Sequence, residues 1–503
     1  MTALQELERL SGRNYVGGEY SKSSGKLAFD VVDPATEDRV GQLADTTAAE
    51  VDIAVAIANK AQKAWRKSNA LHRAELMHEV ARRMKALKPV LAEMLTREMG
   101  KPFKESMDEV EWSITAVDYY AEIGRHENGR IVGPATDHQF HFVAKEPLGT
   151  VVIILPFNYP LVLLCWEAAA ALAAGNAVIV KPSDLTSLTT LKFMEAFAAL
   201  PAGLVQCVTG GAEPAQRLVS HPDTHMVCFT GGIKTGQAVA TVCAGMFKRS
   251  LIESSGNDPL IVMPSAPMDF TVRGSAFAAF MNCGQICASS ERFYVHKDVH
   301  DEFVEKLVAE TKKIRIGNGL DKVDLGPMAA RRERDRYEAL MKKAVGEGAQ
   351  IAVGGDRPSQ FNKGWFVNPT VLVGVSPDSS IMQNESFGPV APICKVDSFD
   401  QAIEYANRSI YGLGSTIFTT DLNEAMRAVD ELEHGMVWVN APLLDNDAGP
   451  FGGRKMSGMG RQLGSEGLDN FRHTKFAMID PGCHAQDFWW FPYADKEMFK
   501  GEK

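Results

Sequence analysis

From residue 150 onward, short apolar runs rich in β-branched residues alternate with alanine-rich segments of helical periodicity, and this alternation most limits the possible folds. The runs lack the polar alternation of a half-exposed strand, so we expect strands that are buried on both faces. Buried strands that alternate with helices form a parallel sheet covered by helices on both sides. The predicted strands are 151–155, 177–180, 205–208, 226–229 and 250–253, and the predicted helices are 161–174, 186–199, 214–220 and 236–246.

Two further regions flank this sheet. Apolar residues in 47–123 recur near helical spacing, which predicts long amphipathic helices that pack on the outside of the sheet. After residue 257 a second α/β series begins with the apolar run 260–263 and continues with a strand at 293–296 and a helix at 300–313. A chain of 503 residues is long enough for two or three such domains.

Charge and composition narrow the possible partners. Acidic residues outnumber basic ones by 63 to 53 and no long basic run occurs, which disfavours nucleic acid and anionic membranes as partners. The first residues lack a basic segment followed by an apolar one, and the most apolar stretch, 161–174, is too short for a bilayer and contains Glu167. We therefore expect a soluble, cytoplasmic protein. Eight cysteines are too sparse for a disulfide scaffold in such a chain, so we expect reduced thiols.

One of these cysteines has the surroundings of a nucleophile. Cys287 is flanked by Gly284, Gln285 and serines, whereas a cysteine placed for packing usually lies inside an apolar run. Cys283 could pair with it at a metal, but neither a CxxC motif nor a histidine-rich segment accompanies the two, so we predict no metal site. We interpret Cys287 as an accessible thiolate that attacks a substrate.

A carboxylate lies about thirty residues upstream. Glu253 ends the apolar strand 250–253 and precedes the small residues Ser254, Ser255 and Gly256. Burial at a strand end can raise the pKa of a carboxyl group, which suits it to take a proton from water or from a thiol. A cysteine with a glutamate suggests covalent catalysis followed by hydrolysis.

With these two residues, the chain resembles the aldehyde dehydrogenase superfamily over nearly its whole length. Each motif alone is weak, but together they stand in the family's order and at family-like spacing. The motifs are Pro156-Phe157-Asn158-Tyr159-Pro160, Lys181-Pro182-Ser183-Asp184, Phe229-Thr230-Gly231-Gly232, the Glu253 strand, Gly284-Gln285-Ile286-Cys287, Glu385-Ser386-Phe387-Gly388-Pro389 and Pro450-Phe451-Gly452-Gly453.

The resemblance implies a hydrolytic, NAD-dependent aldehyde oxidation. Cys287 would add to the carbonyl carbon, hydride transfer would leave a thioester, and Glu253 would activate the water that hydrolyses it. Asn158 follows a parallel strand at the sheet edge where α/β enzymes build their sites. Its side-chain amide and the backbone N–H of Cys287 would form an oxyanion hole by resemblance.

The resemblance also implies the cofactor contacts. Lys181 and Asp184 would contact the adenosine ribose, and an acidic group there favours NAD over NADP. Gly232 stands where the family usually has a serine, which removes one phosphate contact. The full set of expected cofactor residues is Lys181, Ser183, Asp184, Gly231, Gly232, Glu385 and Phe387.

The substrate is less constrained. By resemblance the substrate tunnel is lined by Trp112, Phe157, Tyr159, Leu443, Leu444 and Phe451. This lining suggests an apolar or aromatic aldehyde, whereas nearby carboxylates could attract an aminoaldehyde. The carboxylates are Asp108, Glu109, Asp445 and Asp447. A semialdehyde dehydrogenase, a CoA-acylating enzyme and a non-catalytic binding or structural relative remain as alternatives, of which the CoA-acylating type typically lacks the base that Glu253 provides.

The implied architecture is an α/β fold of the aldehyde dehydrogenase type. A Rossmann-like NAD-binding domain comprises 1–130 and 148–254, an α/β catalytic domain comprises 255–447, and a small β extension for oligomerisation comprises 131–147 and 467–488. The family's use of such segments to extend a neighbouring subunit's sheet implies a homodimer or homotetramer.

Overall fold

The computed structural model describes residues 1–126, 128–486 and 490–493. The helices are α1 (Ala3–Leu10), α2 (Ala48–Trp65), α3 (Ala70–Met99), α4 (Phe103–His126), α5 (Pro160–Ala174), α6 (Ser187–Phe197), α7 (Ala212–Ser220), α8 (Ile233–Gly245), α9 (Met268–Phe280), α10 (Lys297–Thr311), α11 (Arg331–Gly346), α12 (Ser380–Gln383), α13 (Phe399–Asn407), α14 (Leu422–Glu431) and α15 (Gly464–Asn470). Short 3-10 helices span Met281–Gly284 and Lys455–Ser457.

The strands complete the description. They are β1 (Arg13–Val16), β2 (Glu19–Lys22), β3 (Leu27–Val32), β4 (Arg39–Ala44), β5 (Gly129–Val132), β6 (Phe140–Pro147), β7 (Thr150–Ile154), β8 (Ala177–Lys181), β9 (Val205–Cys207), β10 (Met226–Thr230), β11 (Arg249–Glu253), β12 (Asp258–Val262), β13 (Ser290–His296), β14 (Gln350–Val353), β15 (Thr370–Val373), β16 (Val390–Val396), β17 (Thr416–Phe418), β18 (Trp438–Val439), β19 (Gly458–Met459) and β20 (Arg472–Ile479).

The first large sheet has the order β19-β11-β10-β7-β8-β9-β1-β2. Its central strands β11, β10, β7, β8 and β9 are all parallel, as the apolar runs predict. The chain runs outward from β7 through β8 to β9 and then crosses back to β10, so the strand order reverses between β7 and β10. Such a switch point opens a crevice at the carboxyl ends of the strands, where α/β proteins bind ligands.

The helix after β7 shows how the local sequence places the crevice. Pro160 occupies the first turn of α5, where its missing N–H costs no hydrogen bond, and Gly175 ends the helix at φ 96°. Every residue of α5 from Pro160 to Ala173 is buried. The helix therefore packs tightly against the sheet and its neighbours. The loop 155–159, which precedes the helix, lies at the switch point.

The second large sheet has the order β14-β15-β16-β13-β12-β17-β18 and is parallel except for the β14–β15 pair. Its buried side chains form a hydrophobic cluster separate from that of the first sheet. The α/β fold predicted from the sequence is therefore confirmed. The long helices predicted over 47–123 are present as α2, α3 and α4.

The remaining strands show features that the sequence analysis missed. Strand β19 pairs with β11 in antiparallel fashion, so the chain after residue 447 returns to the first sheet. In the third sheet, β20 pairs with β6 along its whole length and β6 pairs with β5. Of the segment 467–488, residues 467–470 belong to helix α15, the strand begins at Arg472, and 487–488 lie outside the described residues. Within the described residues, no helix is both long and apolar enough to cross a membrane.

Candidate active site

Four of the predicted site residues lie at the carboxyl ends of neighbouring strands at the switch point. Asn158 lies in the loop after β7, Gly231 and Gly232 follow β10, and Glu253 ends β11. Thr230 and Glu253 are paired neighbours in the β10–β11 register. The parallel register therefore brings the Asn158 amide, the Gly231–Gly232 turn and the Glu253 carboxyl group to one edge of the sheet.

The turn that carries Cys287 approaches this edge from the second sheet. Asn282, Cys283 and Gly284 adopt left-handed conformations with φ of 51°, 56° and 69°. A Cβ at Gly284 would lie 2.2 Å from the carbonyl oxygen of Gly388, so only glycine allows the turn to lie against the 385–389 loop. Cys287 itself is half-buried.

A second glycine lets the turn approach the first sheet. A Cβ at Gly256 would lie 1.8 Å from the carbonyl oxygen of Cys287, so any larger residue would push the nucleophile away. Gly256 follows Glu253 by three residues. The small residues after the Glu253 strand therefore allow the turn that carries Cys287 to pack closely against them. The sequence did not suggest this role.

Glu253 and Cys287 influence each other. Burial raises the pKa of Glu253 to about 7, although hydrogen bonding by Cys287 and Thr230 opposes the rise. Burial and the negative charge of Glu253 raise the pKa of the Cys287 thiol well above its usual range. Thr230 Oγ1 donates to Glu253 Oε2 at 3.3 Å, and Glu253 Oε1 has no strict hydrogen-bond partner among the described residues. Each group therefore shifts the pKa of the other, and one oxygen of Glu253 remains open to a further donor.

Asn158 lies beside the same turn. Its Nδ2 donates to the carbonyl oxygen of Gln285 at 3.1 Å, which leaves its second amide hydrogen available. The backbone N–H of Cys287 donates to no residue in the described part of the chain. Asn158 is 3% exposed, so it could present this hydrogen in a site from which bulk water is largely excluded.

A buried ion pair, which the sequence analysis did not identify, lies behind Asn158. Lys101 Nζ contacts Glu109 Oε2 at 2.6 Å and donates to the backbone carbonyl of Asn158 at 2.5 Å, and both charged side chains are fully buried. Glu109 Oε1 accepts from the backbone N–H of Leu161 at 2.8 Å, so it caps the first turn of α5. The expectation that Glu109 faces a cationic substrate is therefore wrong, because Lys101 and the helix end occupy its carboxylate.

A cavity of about 540 Å³ leads to the nucleophile. Trp112, Tyr159, Leu443, Leu444 and Phe451, which the resemblance assigns to the substrate tunnel, line this cavity together with further residues. The additional lining residues are Thr115, Asn158, Val162, Leu163, Trp166, Met281, Ile286, Cys287, Ala288, Trp438, Asp445, Asn446 and Asp447.

Phe157 has a different position. It is absent from the described lining of the cavity, and its ring lies edge-on to Phe387 at 5.9 Å between centroids. This contact places Phe157 beside the loop predicted to flank the nicotinamide. Of the two residues that flank Asn158, Phe157 therefore contacts the 385–389 loop, whereas Tyr159 lines the cavity.

The two carboxylates of the cavity are Asp445 and Asp447. Asp445 is exposed in the cavity mouth, yet desolvation by the surrounding protein, together with the charge of Asp447, raises its pKa to about 7. Burial also raises the pKa of Asp447, although Thr115 opposes the rise. Within the described residues neither carboxylate forms an ion pair, whereas Asp108, the fourth expected carboxylate, is paired with Lys104 on the surface.

The predicted ribose residues follow β8 at the other end of the crevice. Lys181 is 5% exposed, and the Pro182 carbonyl is its only hydrogen-bond partner among the described residues, at 2.7 Å. Burial lowers the pKa of Lys181 to about 8. Ser183 Oγ donates to Asp184 at 3.1 Å. Two buried N–H donors of Lys181 thus remain available for a ligand.

Asp184 has a partner that sequence reasoning missed. Arg332, in the first turn of α11, donates to both Asp184 oxygens at 3.1 and 3.2 Å. Burial would raise the pKa of Asp184, but the hydrogen bonds and charge of Arg332 outweigh it and lower the pKa. No motif signals this contact, because 148 residues separate the two side chains.

The turn after β10 has the features of a phosphate site. Helix α8 begins at Ile233, no side chain caps it and no acidic residue lies in its first turn. A Cβ at Gly232 would meet nothing within 4 Å, so the space in front of the helix is open. Uncapped N–H groups at a helix start bind phosphate well. These observations, with the free donors of Lys181, fit a dinucleotide cofactor.

The 385–389 loop contacts both the segment after Glu253 and the turn that carries Cys287. Glu385 accepts from the backbone N–H of Gly256 at 3.0 Å, and burial raises its pKa to about 7. Phe387 is held at φ 46°, and its N–H donates to Glu291 at 2.8 Å. Glu291 also accepts from the N–H of Ser386 at 2.5 Å. This buried carboxylate, which the sequence analysis did not single out, therefore fixes the position of Phe387.

Comparisons with known proteins agree with this geometry. The sequence profile described as "Aldehyde dehydrogenase family" matches residues 20–477. The chain is 34% identical to the chloroplastic betaine aldehyde dehydrogenase of Beta vulgaris, over 93% of this chain and 96% of that protein. It is 34% identical to a chloroplastic aminoaldehyde dehydrogenase of Arabidopsis thaliana, over 92% and 94% of the two chains. A crystal structure of the betaine aldehyde dehydrogenase of Staphylococcus aureus in complex with NAD+ superposes with a TM-score of 0.93 at 30% identity, covering 97% of this chain and 98% of that one.

Proposed function

Because the chain belongs to the aldehyde dehydrogenase family and is an NAD-dependent enzyme that oxidises aldehydes, we propose that Cys287, Glu253 and Asn158 perform the reaction and that the substrate is an aminoaldehyde. The substrate assignment rests on two carboxylates, Asp445 and Asp447, in the aromatic cavity that ends at Cys287. Neither forms an ion pair with another described residue. The family relationship itself does not select among aldehydes.

The first chemical step is the addition of the Cys287 sulfur to the aldehyde carbon. Its raised pKa keeps the thiol protonated near neutral pH, so a base must remove the proton as the S–C bond forms. Glu253 is the neighbouring carboxylate that can accept it. The free amide hydrogen of Asn158 and the N–H of Cys287 then stabilise the oxyanion of the thiohemiacetal.

The later steps use the same residues. Bound NAD+ accepts the hydride from the thiohemiacetal carbon, and a thioester on Cys287 remains. Glu253 then takes a proton from water as the water oxygen attacks the thioester carbon, and the C–S bond breaks to release the carboxylic acid. The open oxygen Oε1 of Glu253 is positioned to accept this proton.

The residues proposed to bind NAD lie along the crevice at the carboxyl ends of the strands and in the 385–389 loop. Lys181, Ser183 and Asp184 would hold the adenosine ribose, the N–H groups around Gly231 and Gly232 would hold the pyrophosphate, and Glu385 with Phe387 would hold the nicotinamide ribose and flank the ring. These are the residues expected from the sequence, and the free donors at Lys181 and at the start of α8 support their assignment. A flat ring beside Phe387 would also lie near Phe157.

An aminoaldehyde fits the cavity because its two ends differ. The cavity walls carry the ring pairs Trp112–Tyr159 and Trp166–Phe451, with centroids 6.4 and 5.0 Å apart. An ammonium group is attracted both to aromatic faces and to carboxylates. None of the described lining residues is Arg, Lys or His, which disfavours a semialdehyde with a carboxylate tail.

Substrate profiling tests this assignment. We expect kcat/KM for 3-aminopropanal and 4-aminobutanal to exceed that for neutral aldehydes of equal length and for succinic semialdehyde. Asp445→Asn should lower kcat/KM for the amino compounds about tenfold, as expected for the loss of one charge-assisted contact, and leave the neutral aldehydes nearly unchanged. Asp108→Asn is the matched control, because Asp108 is already paired with Lys104 outside the cavity. Higher kcat/KM for hexanal or benzaldehyde in the unmutated protein would assign an apolar substrate instead.

We also propose the domain and assembly roles outlined by the sequence. The two large sheets support a cofactor domain of 1–130 and 148–254 and a catalytic domain of 255–447.

Self-association through the third sheet is supported by exposed apolar residues on its strands, including Ile131, Phe140 and Phe476. Light scattering tests this self-association, because Ile131→Asp should give a lower molar mass than the unmutated protein. Eight free thiols support a cytoplasmic location.

A further inference from the structure

The ion pair between Asp184 and Arg332 changes the electrostatics of the proposed ribose site. An isolated aspartate would repel a 2′-phosphate, but Arg332 donates to both of its oxygens at 3.1 and 3.2 Å and neutralises it. Lys181, buried nearby, adds a further positive charge. Glu333 lies 3.5 Å from Arg332 Nε, so Lys181, Arg332, Asp184 and Glu333 together are neutral, and neither carboxylate is left without a cation beside it.

Arg332 also has hydrogen-bond capacity in reserve. A guanidinium has five N–H donors, of which two serve Asp184 and a third, on Nε, faces Glu333 at 3.5 Å, so two remain. Its side chain is 57% exposed, so it can adjust its position at little cost, whereas Asp184 is 28% exposed. Arginine binds phosphate through paired N–H donors. A phosphate beside Asp184 would therefore meet free donors on a mobile cation.

The same pair remains compatible with NAD. A carboxylate offers about four lone-pair sites, so Asp184 can still accept from a ribose hydroxyl while it holds Arg332. Its local bond from Ser183 fixes its orientation at the same time. The pair thus presents an acceptor for a 2′-hydroxyl and a donor for a 2′-phosphate side by side.

We propose that Arg332 is a specificity-determining residue that binds the cofactor's 2′-phosphate, so that the protein uses NADP+ as well as NAD+. This inference rests on the placement of the adenosine ribose proposed above. It modifies the expectation that Asp184 favours NAD over NADP.

The test measures binding of two adenosine probes to the full-length protein by calorimetry. We expect 2′,5′-ADP to bind at least as tightly as 5′-AMP. Arg332→Ala should weaken 2′,5′-ADP by about tenfold or more, the effect of one charge-assisted contact, and change 5′-AMP by less than about threefold. The KM for NADP+ should rise in parallel, with the KM for NAD+ nearly constant.

Arg331→Ala is the matched control, because Arg331 pairs with Glu37 at 3.4 Å rather than with Asp184. It should leave both probes unchanged. Equal weakening of both probes in Arg332→Ala would show that Arg332 only holds Asp184 in place, and much weaker binding of 2′,5′-ADP than of 5′-AMP by the unmutated protein would also overturn the inference. If 5′-AMP binds but Asp184→Ala leaves both probes unaffected, the ribose placement itself fails.

Discussion

The Cys287 thiol and the Glu253 carboxyl group come from different sheets, yet they lie close enough for each to shift the other's pKa. Glu253 ends β11 of the first sheet, and Cys287 lies on the turn before β13 of the second. Because both are shielded from water, ionising both at once is unfavourable. Ionisation of one group therefore opposes ionisation of the other, which suits a base that takes a proton first from the thiol and later from water.

Cys287→Ala should abolish aldehyde oxidation while NAD+ still binds, because the proposed cofactor contacts lie on other segments. Steady-state NADH formation and NAD+ titration measure the two effects. Cys283→Ala is the matched control and should leave turnover nearly intact, since that thiol is fully enclosed by the core around β13. Near-normal kcat in Cys287→Ala would remove this residue as the nucleophile.

Glu253→Gln should stall the enzyme at the thioester. We expect a single-turnover burst of NADH, followed by steady-state turnover that is about 10²–10⁴-fold lower, the typical contribution of a general base. If Glu253 also deprotonates Cys287, the burst should shrink and should recover partly at high pH, where the thiolate forms without help. Rapid-mixing absorbance measures burst and steady state together. Unchanged steady-state turnover would refute the assignment, and release of acyl-CoA when CoA is added to the unmutated enzyme would favour acyl transfer.

The pH dependence of deacylation should report Glu253. Burial raises its pKa to about 7, so the carboxyl group is protonated below that pH and cannot accept a proton from water. The deacylation rate should therefore rise with pH through about 7 and level off above it. Single-turnover release of the acid, followed from pH 5.5 to 8.5, measures this profile, and Glu253→Gln should lack the inflection. An inflection near pH 4.5 would indicate a base exposed to water.

Lys101→Met should destabilise the protein, because it leaves Glu109 buried without its partner. Breaking one side of a buried ion pair typically costs about 3–5 kcal/mol, and Lys101 also donates to the Asn158 carbonyl. Thermal unfolding should show a clear drop in Tm. The double variant Lys101→Met/Glu109→Gln should recover part of it, since the uncompensated charge is removed. Equal Tm for the single variant and the unmutated protein would mean that the charge is not isolated from water.

The sequence by itself determined the α/β class and the parallel strands of the first sheet, and it offered candidates for nucleophile and base. These follow from local information, because apolar runs, helical periodicity and short motifs are written in consecutive residues. Family resemblance then placed Asn158, Glu253 and Cys287 in one site, although 34 residues separate even the last two.

Only the tertiary structure decided which charges are free. Glu109 looks like a substrate contact in the sequence, but Lys101 and the start of α5 occupy it. Asp184 looks like an unpaired ribose contact, but Arg332 reaches it from 148 residues away. Ion pairing and burial depend on neighbours that meet through the fold rather than along the chain, and these neighbours set both the pKa values and the ligand charge that each site accepts.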